Sequence, residues 1–191
     1  MLSAESVRPI VHGNNRGFTL VELMGVVAIV AILATLSVYG VRKYIQASKS
    51  SEAIQMIGSI KAGQESYRAE TFTYLDVSGS NSLSVFYPMS TPSNKAYAWG
   101  DLSSAPGKAY QTLGVSPDAP VYLAYACAAG DGSIAIPSPG VTPTTGSWPS
   151  SSDGAPWYVV KAVGDLDADG TTSTYVSSSF LGQIIIDKDG E

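Results

Sequence analysis

The chain predicts an α+β fold, with one long amino-terminal α-helix packed on an antiparallel β-sheet head. Three observations carry this. An apolar run from Phe18 to Val41 contains a single charge, Glu22. From Arg42 the apolar residues fall into a helical 3,4 spacing. Beyond Tyr74 the texture turns to Ser, Gly, Pro and Tyr, with short alternating stretches that read as strands. Four segments follow: a leader over 1–17, a membrane-spanning helix over 18–41, the amphipathic half of the same helix over 42–70, and a globular head over 71–191.

The run from Phe18 to Val41 is about 24 residues, roughly 36 Å as a helix, enough to cross a hydrocarbon core with some tilt. It contains no proline, and only Gly25 and Gly40 weaken it. Glu22 is the anomaly, because an ionised side chain inside a membrane span is costly and calls for a partner. No Lys, Arg or His lies within the run to provide one. A cut between Gly17 and Phe18 would create a free amino terminus. In a packed bundle that amine can meet Glu22 of a neighbouring copy.

The segment Arg16-Gly17-Phe18-Thr19-Leu20-Val21-Glu22-Leu23 resembles the processing signal of type IV prepilins and of the related type II secretion pseudopilins. The resemblance implies cleavage after Gly17 and N-methylation of Phe18 by a membrane aspartyl prepilin peptidase. It further implies polymerisation through Phe18, Thr19 and Glu22 into a filament whose core is the bundled helices. The expected partners are further copies of the chain, the prepilin peptidase, a pilus assembly platform, minor pilins and the inner membrane. The expected location is the inner membrane as a single-pass precursor, then an extracellular filament at the cell surface. A secretory signal peptide is the competing interpretation of a basic start and an apolar core. Glu22 at the head of the run, the length of the run and its continuation into an amphipathic helix weigh against it. Pilins of this family commonly carry a proline where Tyr39 stands and a glycine where Ala31 stands. Pro costs about 3 kcal/mol and Gly about 1 kcal/mol in a helix interior, so Tyr39 and Ala31 favour an unbroken helix. That departure leans toward a pseudopilin or an atypical pilin.

Composition narrows the function classes. With 191 residues there is room for one long helix and one globular domain. The net charge of −5 and pI of about 4.8 weigh against a general electrostatic grip on nucleic acid, so no direct nucleic-acid binding is expected. Cys127 is the only cysteine, so no intrachain disulfide can form. His12, the only histidine, lies in the leader, which removes histidine-based catalysis from the mature chain. Arg8 and Arg16 favour a cytoplasmic leader, although Arg42 and Lys43 at the other end of the span weaken that bias. No nucleophile elbow, phosphate-cradling glycine loop or Cys/His metal spacing is present, so the chain is expected not to be an enzyme.

In the amphipathic half, Ala53, Ile57, Ile60, Gln64 and Tyr67 form a stripe expected to cover a sheet. Lys49, Glu52, Lys61, Glu65 and Arg68 fall mostly off it. Candidate strands follow near Leu83–Tyr87, Lys95–Trp99, Val121–Ala128, Trp157–Val163, Tyr175–Ser179 and Gln183–Asp187. Alternation in Val121, Leu123, Tyr125 and Cys127 points all four one way and makes Cys127 a buried small hydrophobe. The stretches Tyr110–Val115 and Val121–Cys127 are loosely similar to the sheet region of pilins. Pro137–Pro156 reads as a long exposed loop, a surface for recognition if the chain is instead a minor tip pilin acting as an adhesin.

One chemical cluster remains. Asp165, Asp167 and Asp169 alternate ahead of Gly170, the opening of an EF-hand-type calcium loop. Val176 stands where the closing bidentate Glu would fall. Oxygens of Thr171–Thr174 or Asp153 are the alternatives for completing a shell, and a solvated acidic turn is the reading without metal. Structural calcium is the only cofactor the chain suggests.

Overall fold

The computed structural model describes residues 17–141 and 147–190. The leader over 1–16, with Arg8, His12 and Arg16, lies outside the described residues, as do residues 142–146 of the Pro137–Pro156 loop. The chain divides at Val41/Arg42 into two units. Helix α1 spans Leu20–Thr71, beginning two residues later than the apolar run because Thr19 caps it. With neither Pro nor a paired breaker inside, it is continuous.

In the first unit every large apolar side chain of the helix is exposed, from Leu20 through Val41. The helix is long and apolar enough to cross a membrane. Its two aliphatic hydroxyls bond to their own backbone: Thr35 Oγ1 donates to Ile32 O at 2.7 Å and Ser37 Oγ to Leu33 O at 2.8 Å. No polar group of that pair is left bare toward lipid.

The second unit buries the stripe. Ala53, Ile57, Ile60 and Gln64 are fully buried, joined by Met56. Each fully buried Ile contributes about 1.5–3 kcal/mol relative to exposure. The cover is a four-stranded antiparallel meander in the order β1–β2–β3–β4, with β1 Ala124–Gly130, β2 Trp157–Gly164, β3 Ser173–Ser178 and β4 Leu181–Asp187. Cys127 opposes Val160, and Ala162 opposes Tyr175. Val121, Leu123, Tyr125 and Cys127 share the core with Ile57 and Ile60, as the alternation predicts. The opposite face is also covered: Ala128, Trp157, Val159, Val176 and Ile185 pack with Leu83 and Ile136.

Three sequence expectations are corrected. Leu83–Tyr87 and Lys95–Trp99 form no strands; each contributes one isolated bridge, Tyr87 to Tyr125 and Tyr97 to Val121. Tyr110–Val115 belongs not to the sheet but to helix α2, Ala105–Thr112, and its exit. Ser104 caps α2 by accepting from Gly107 N, Pro106 sits in the first turn where its missing N–H costs nothing, and Gly114 at φ 69° ends it. Tyr110 then packs against Trp99 at 5.0 Å between ring centroids, with Tyr87 beside both. The Pro137–Pro156 loop is not wholly exposed. Val141 and Trp148 pack on the outer sheet face, and Trp148 Nε1 donates to Pro137 O at 3.1 Å.

Helix α1 stops at Phe72, which adopts φ 63° while remaining 82% exposed. Its N–H still bonds Arg68 O at 2.8 Å. This is the left-handed position that glycine ordinarily takes after a helix, and a bulky residue there is strained by about 1–2 kcal/mol.

Gly63 marks the contact between α1 and the exit of α2: a Cβ there would lie 2.5 Å from Leu113 O. Gly63→Ala is expected to destabilise the head by about 1–3 kcal/mol, since backbone must move to admit the methyl group. Thermal unfolding of the full chain in detergent checks this. An unchanged melting temperature would show that the two helices separate freely at this point.

Candidate functional site

At the amino-terminal site, Gly17, Phe18 and Thr19 are non-helical and exposed. Apart from its chain neighbours, nothing among the described residues lies within 4 Å of a Cβ built on Gly17, so none of them places a steric demand for glycine at this junction. Thr19 and Glu22 form a reciprocal pair: Glu22 N donates to Thr19 Oγ1 at 3.2 Å, while Glu22 Oε2 accepts from Thr19 N at 2.9 Å and from Thr19 Oγ1 at 2.8 Å. This is a capping box, in which two otherwise orphaned N–H groups of the helix start are satisfied. Seeking only a cation for Glu22 misses it, although Thr-x-x-Glu ahead of an apolar run is its sequence signature.

Asp165, Asp167 and Asp169 come together, with one carboxylate oxygen from each lying within 4.8 Å of the others. Backbone N–H groups shape the turn. Asp165 Oδ1 accepts from Ala168 N at 2.7 Å, and Asp169 Oδ1 accepts from Thr171 N at 2.6 Å. Bonds from Thr171 hold the Asp169 carboxyl below its ordinary value of 3.8. Three carboxylate oxygens this near one another are hard donors of the type a calcium shell uses. Val176 is buried in β3, and Asp153 is not among the clustered carboxylates. Any remaining ligands must come from the backbone, Thr171–Thr174 or water.

Of the charges off the stripe, several do more than face solvent. Lys49 Nζ donates to Leu166 O at 2.6 Å and stands 4.8 Å over the Tyr122 ring, tying the acidic turn to α1. Lys61 Nζ donates to Ser177 Oγ at 3.0 Å. Glu52 Oε1 accepts from Tyr122 N at 2.9 Å and from Tyr125 Oη at 3.2 Å. Burial pushes the Glu52 carboxyl above its ordinary value of 4.5, against the opposing pull of those hydrogen bonds. Cys127 is fully buried, accepts from Gln64 Nε2 at 3.2 Å, and burial pushes its thiol up to about 12. It is a packing residue, not a nucleophile.

Glu52 generates a prediction. A carboxyl with a raised folded-state value stabilises the head most below the unfolded value and loses that contribution as pH rises through the folded one. Head stability is therefore expected to fall as pH climbs upward from about 4.5. Glu52→Gln keeps an accepting oxygen for Tyr122 N and Tyr125 Oη without a charge to desolvate. It is expected to melt higher than the parent at pH 7 and to lack that part of the pH dependence. Equal melting temperatures for the two chains at pH 7 would contradict this.

Residues 12–38 match the family model for the prokaryotic N-terminal methylation motif. The type IV major pilin protein PilA of Myxococcus xanthus (strain DK1622) is 44% identical over 62 residues. That stretch covers 32% of this chain and 28% of the relative. No solved structure matches. Its methylation motif and this partial likeness make the amino-terminal part of the chain similar to type IV pilins, and a long apolar helix ahead of an antiparallel sheet accords with that likeness.

Proposed function

We propose that the chain is the structural subunit of a type IV pilus-like filament. It enters the inner membrane as a single-pass precursor, is cut after Gly17 by a prepilin peptidase, and is methylated on Phe18. It then polymerises through Phe18–Val41 on an assembly platform, together with minor pilins, into a filament outside the cell. The observation that carries this reading is an apolar helix surface exposed on every side in the single chain, over the segment that the methylation motif largely covers. Gly25 and Gly40 support it: apart from the adjacent residues and the surrounding helix backbone, nothing among the described residues lies within 4 Å of a Cβ at either. Small residues on an uncovered helix let a neighbouring helix approach closely. The subunit acts by assembling and not by chemistry of its own. A type II secretion pseudopilin is the second reading, favoured by the unbroken helix through Ala31 and Tyr39.

In the filament the carboxylate of Glu22 meets the amine of Phe18 from another copy, a charge-assisted contact available only after cleavage. The capping box means that Glu22→Ala removes two things at once, so Thr19→Ala is the needed companion. It opens the cap and leaves the carboxylate. Glu22→Ala and Glu22→Gln are expected to be inserted and cut normally yet to lower filament yield about tenfold or more, while Thr19→Ala stays within about threefold of the parent. The readout is subunit in sheared filaments relative to membranes, with mass spectrometry showing an amino-terminal N-methyl Phe18. Equal loss in Thr19→Ala and Glu22→Ala would reduce Glu22 to a cap. A filament subunit starting elsewhere would remove the processing reading. Long surface filaments favour a pilus, and fibres confined to the periplasm favour a pseudopilus.

The acidic turn is proposed as a structural calcium site. At hundredfold saturation, Ca²⁺ is expected to raise the melting temperature of the full chain by about 5–10 °C. Asp167→Asn with Asp169→Asn should abolish the shift. No response of the parent chain to Ca²⁺ or to chelation would identify the cluster as a solvated turn.

A further inference from the structure

We propose that Phe72 is a knob that docks into the Trp99–Leu102–Val115 cavity of a second copy of the chain. This contact rests on the filament reading and specifies where the heads of two subunits meet. Phe72 is 82% exposed at φ 63°, a position where glycine would be unstrained. An aromatic side chain kept bare on a strained backbone has no explanation within its own subunit. Elsewhere on the head lies a cavity of about 270 Å³ lined by Trp99, Leu102, Gly107, Gln111, Gly114 and Val115. That is below the ordinary range of small-molecule sites, roughly 300–1,000 Å³, and suits one inserted side chain.

Charge selects this cavity and this partner. Glu70, two residues before Phe72, is exposed, and Lys108 is exposed next to Gly107 on the cavity's helix. Neither side chain has a hydrogen bond or ion pair among the described residues. A second copy seated by its Phe72 brings its Glu70 toward that lysine. The other aromatic cavity, lined by Tyr74, Trp157 and Phe180, has Arg68 on its rim, and that guanidinium already donates to Tyr74 Oη at 2.8 Å.

Geometry sets the kind of contact. The exit of α2, which carries Gly114 and Val115, packs against α1 at Gly63. Phe72 lies nine residues further along α1, about 13 Å at 1.5 Å per residue. Two heads whose α1 segments run parallel and level therefore cannot bring knob to cavity. The contact forms only between copies staggered along the helix axis. Such a contact uses different surfaces on the two partners, is repeated by each added copy, and propagates as an open helical array.

The test uses the full chain in its membrane and in sheared filaments. Phe72→Gly removes the knob and relieves the backbone, so the chain in detergent is expected to melt no lower than the parent while filament yield falls about tenfold or more. Glu70→Cys with Lys108→Cys keeps the knob, and a short thiol cross-linker should convert filaments of that variant into a ladder of linked subunits. Each single cysteine variant should stay unlinked, Cys127 being buried. Parent-like filament yield from Phe72→Gly, or no ladder in filaments that the double variant does form, overturns the contact and leaves the filament reading standing. If the parent chain, cut and methylated, forms no filament at all, the filament reading fails and the contact falls with it.

Discussion

The structure is governed by one helix that must be covered in two different ways. Over Leu20–Val41 its large apolar side chains are exposed on all sides, with none of the described residues covering them. Over Ser50–Gln64 only one stripe is apolar, and a sheet covers it. The first half is stable only where lipid or other helices replace water, whereas the second half is satisfied within the single subunit. A change of partner in the first half therefore need not disturb the packing of the second.

Much of this was legible because periodicity reports burial directly. The 3,4 spacing of Ala53, Ile57, Ile60 and Gln64 marks four residues with no exposed surface, and the alternation from Val121 to Cys127 marks one face of the core. What was not legible depended on contacts distant in sequence. Tyr110 and Val115 have strand-like side chains, but Ser104 and Pro106 start a helix before them, and Trp99 and Tyr87 give Tyr110 its place. Tyr87 finds a single bridge to Tyr125 on β1 and Tyr97 a single bridge to Val121 ahead of β1, pairings that alternation within their own segments does not reveal. The Pro-rich loop looks exposed by composition, yet Trp148 packs in an edge-on contact 5.2 Å from Phe180. One large aromatic ring among prolines and serines outweighs the average of its neighbours.

The amino-terminal site shows the same limit on a smaller scale. A charge in an apolar run draws attention to distant cations, whereas its nearest partner is the hydroxyl three residues back. The two roles are compatible. The cap employs one carboxylate oxygen, Oε2, and leaves the other free to meet an amine. The helix start is thus ordered within the single chain, which leaves less freedom to be lost in any contact made there.

Polar contacts then decide where the helix sits on the sheet. Apolar packing alone tolerates a slide or a rotation, because one Ile replaces another at little cost. The edges of the stripe do not tolerate it. Gln64 Nε2 donates to Leu75 O at 2.7 Å while its Oε1 accepts from Leu75 N at 2.9 Å. Ser50 Oγ, Tyr175 Oη and Asp189 Oδ1 close a triangle of 2.8–2.9 Å bonds. Lys49, Glu52 and Lys61 each reach a different strand or turn. Displacing the helix by one residue would leave several of these groups buried and unpaired at once, at about 1–3 kcal/mol each. The hydrophobic stripe supplies the drive to pack, and the polar groups beside it admit one register. That fixed register holds Phe72 and the exit of α2 at set heights along α1, as any repeating contact between heads requires.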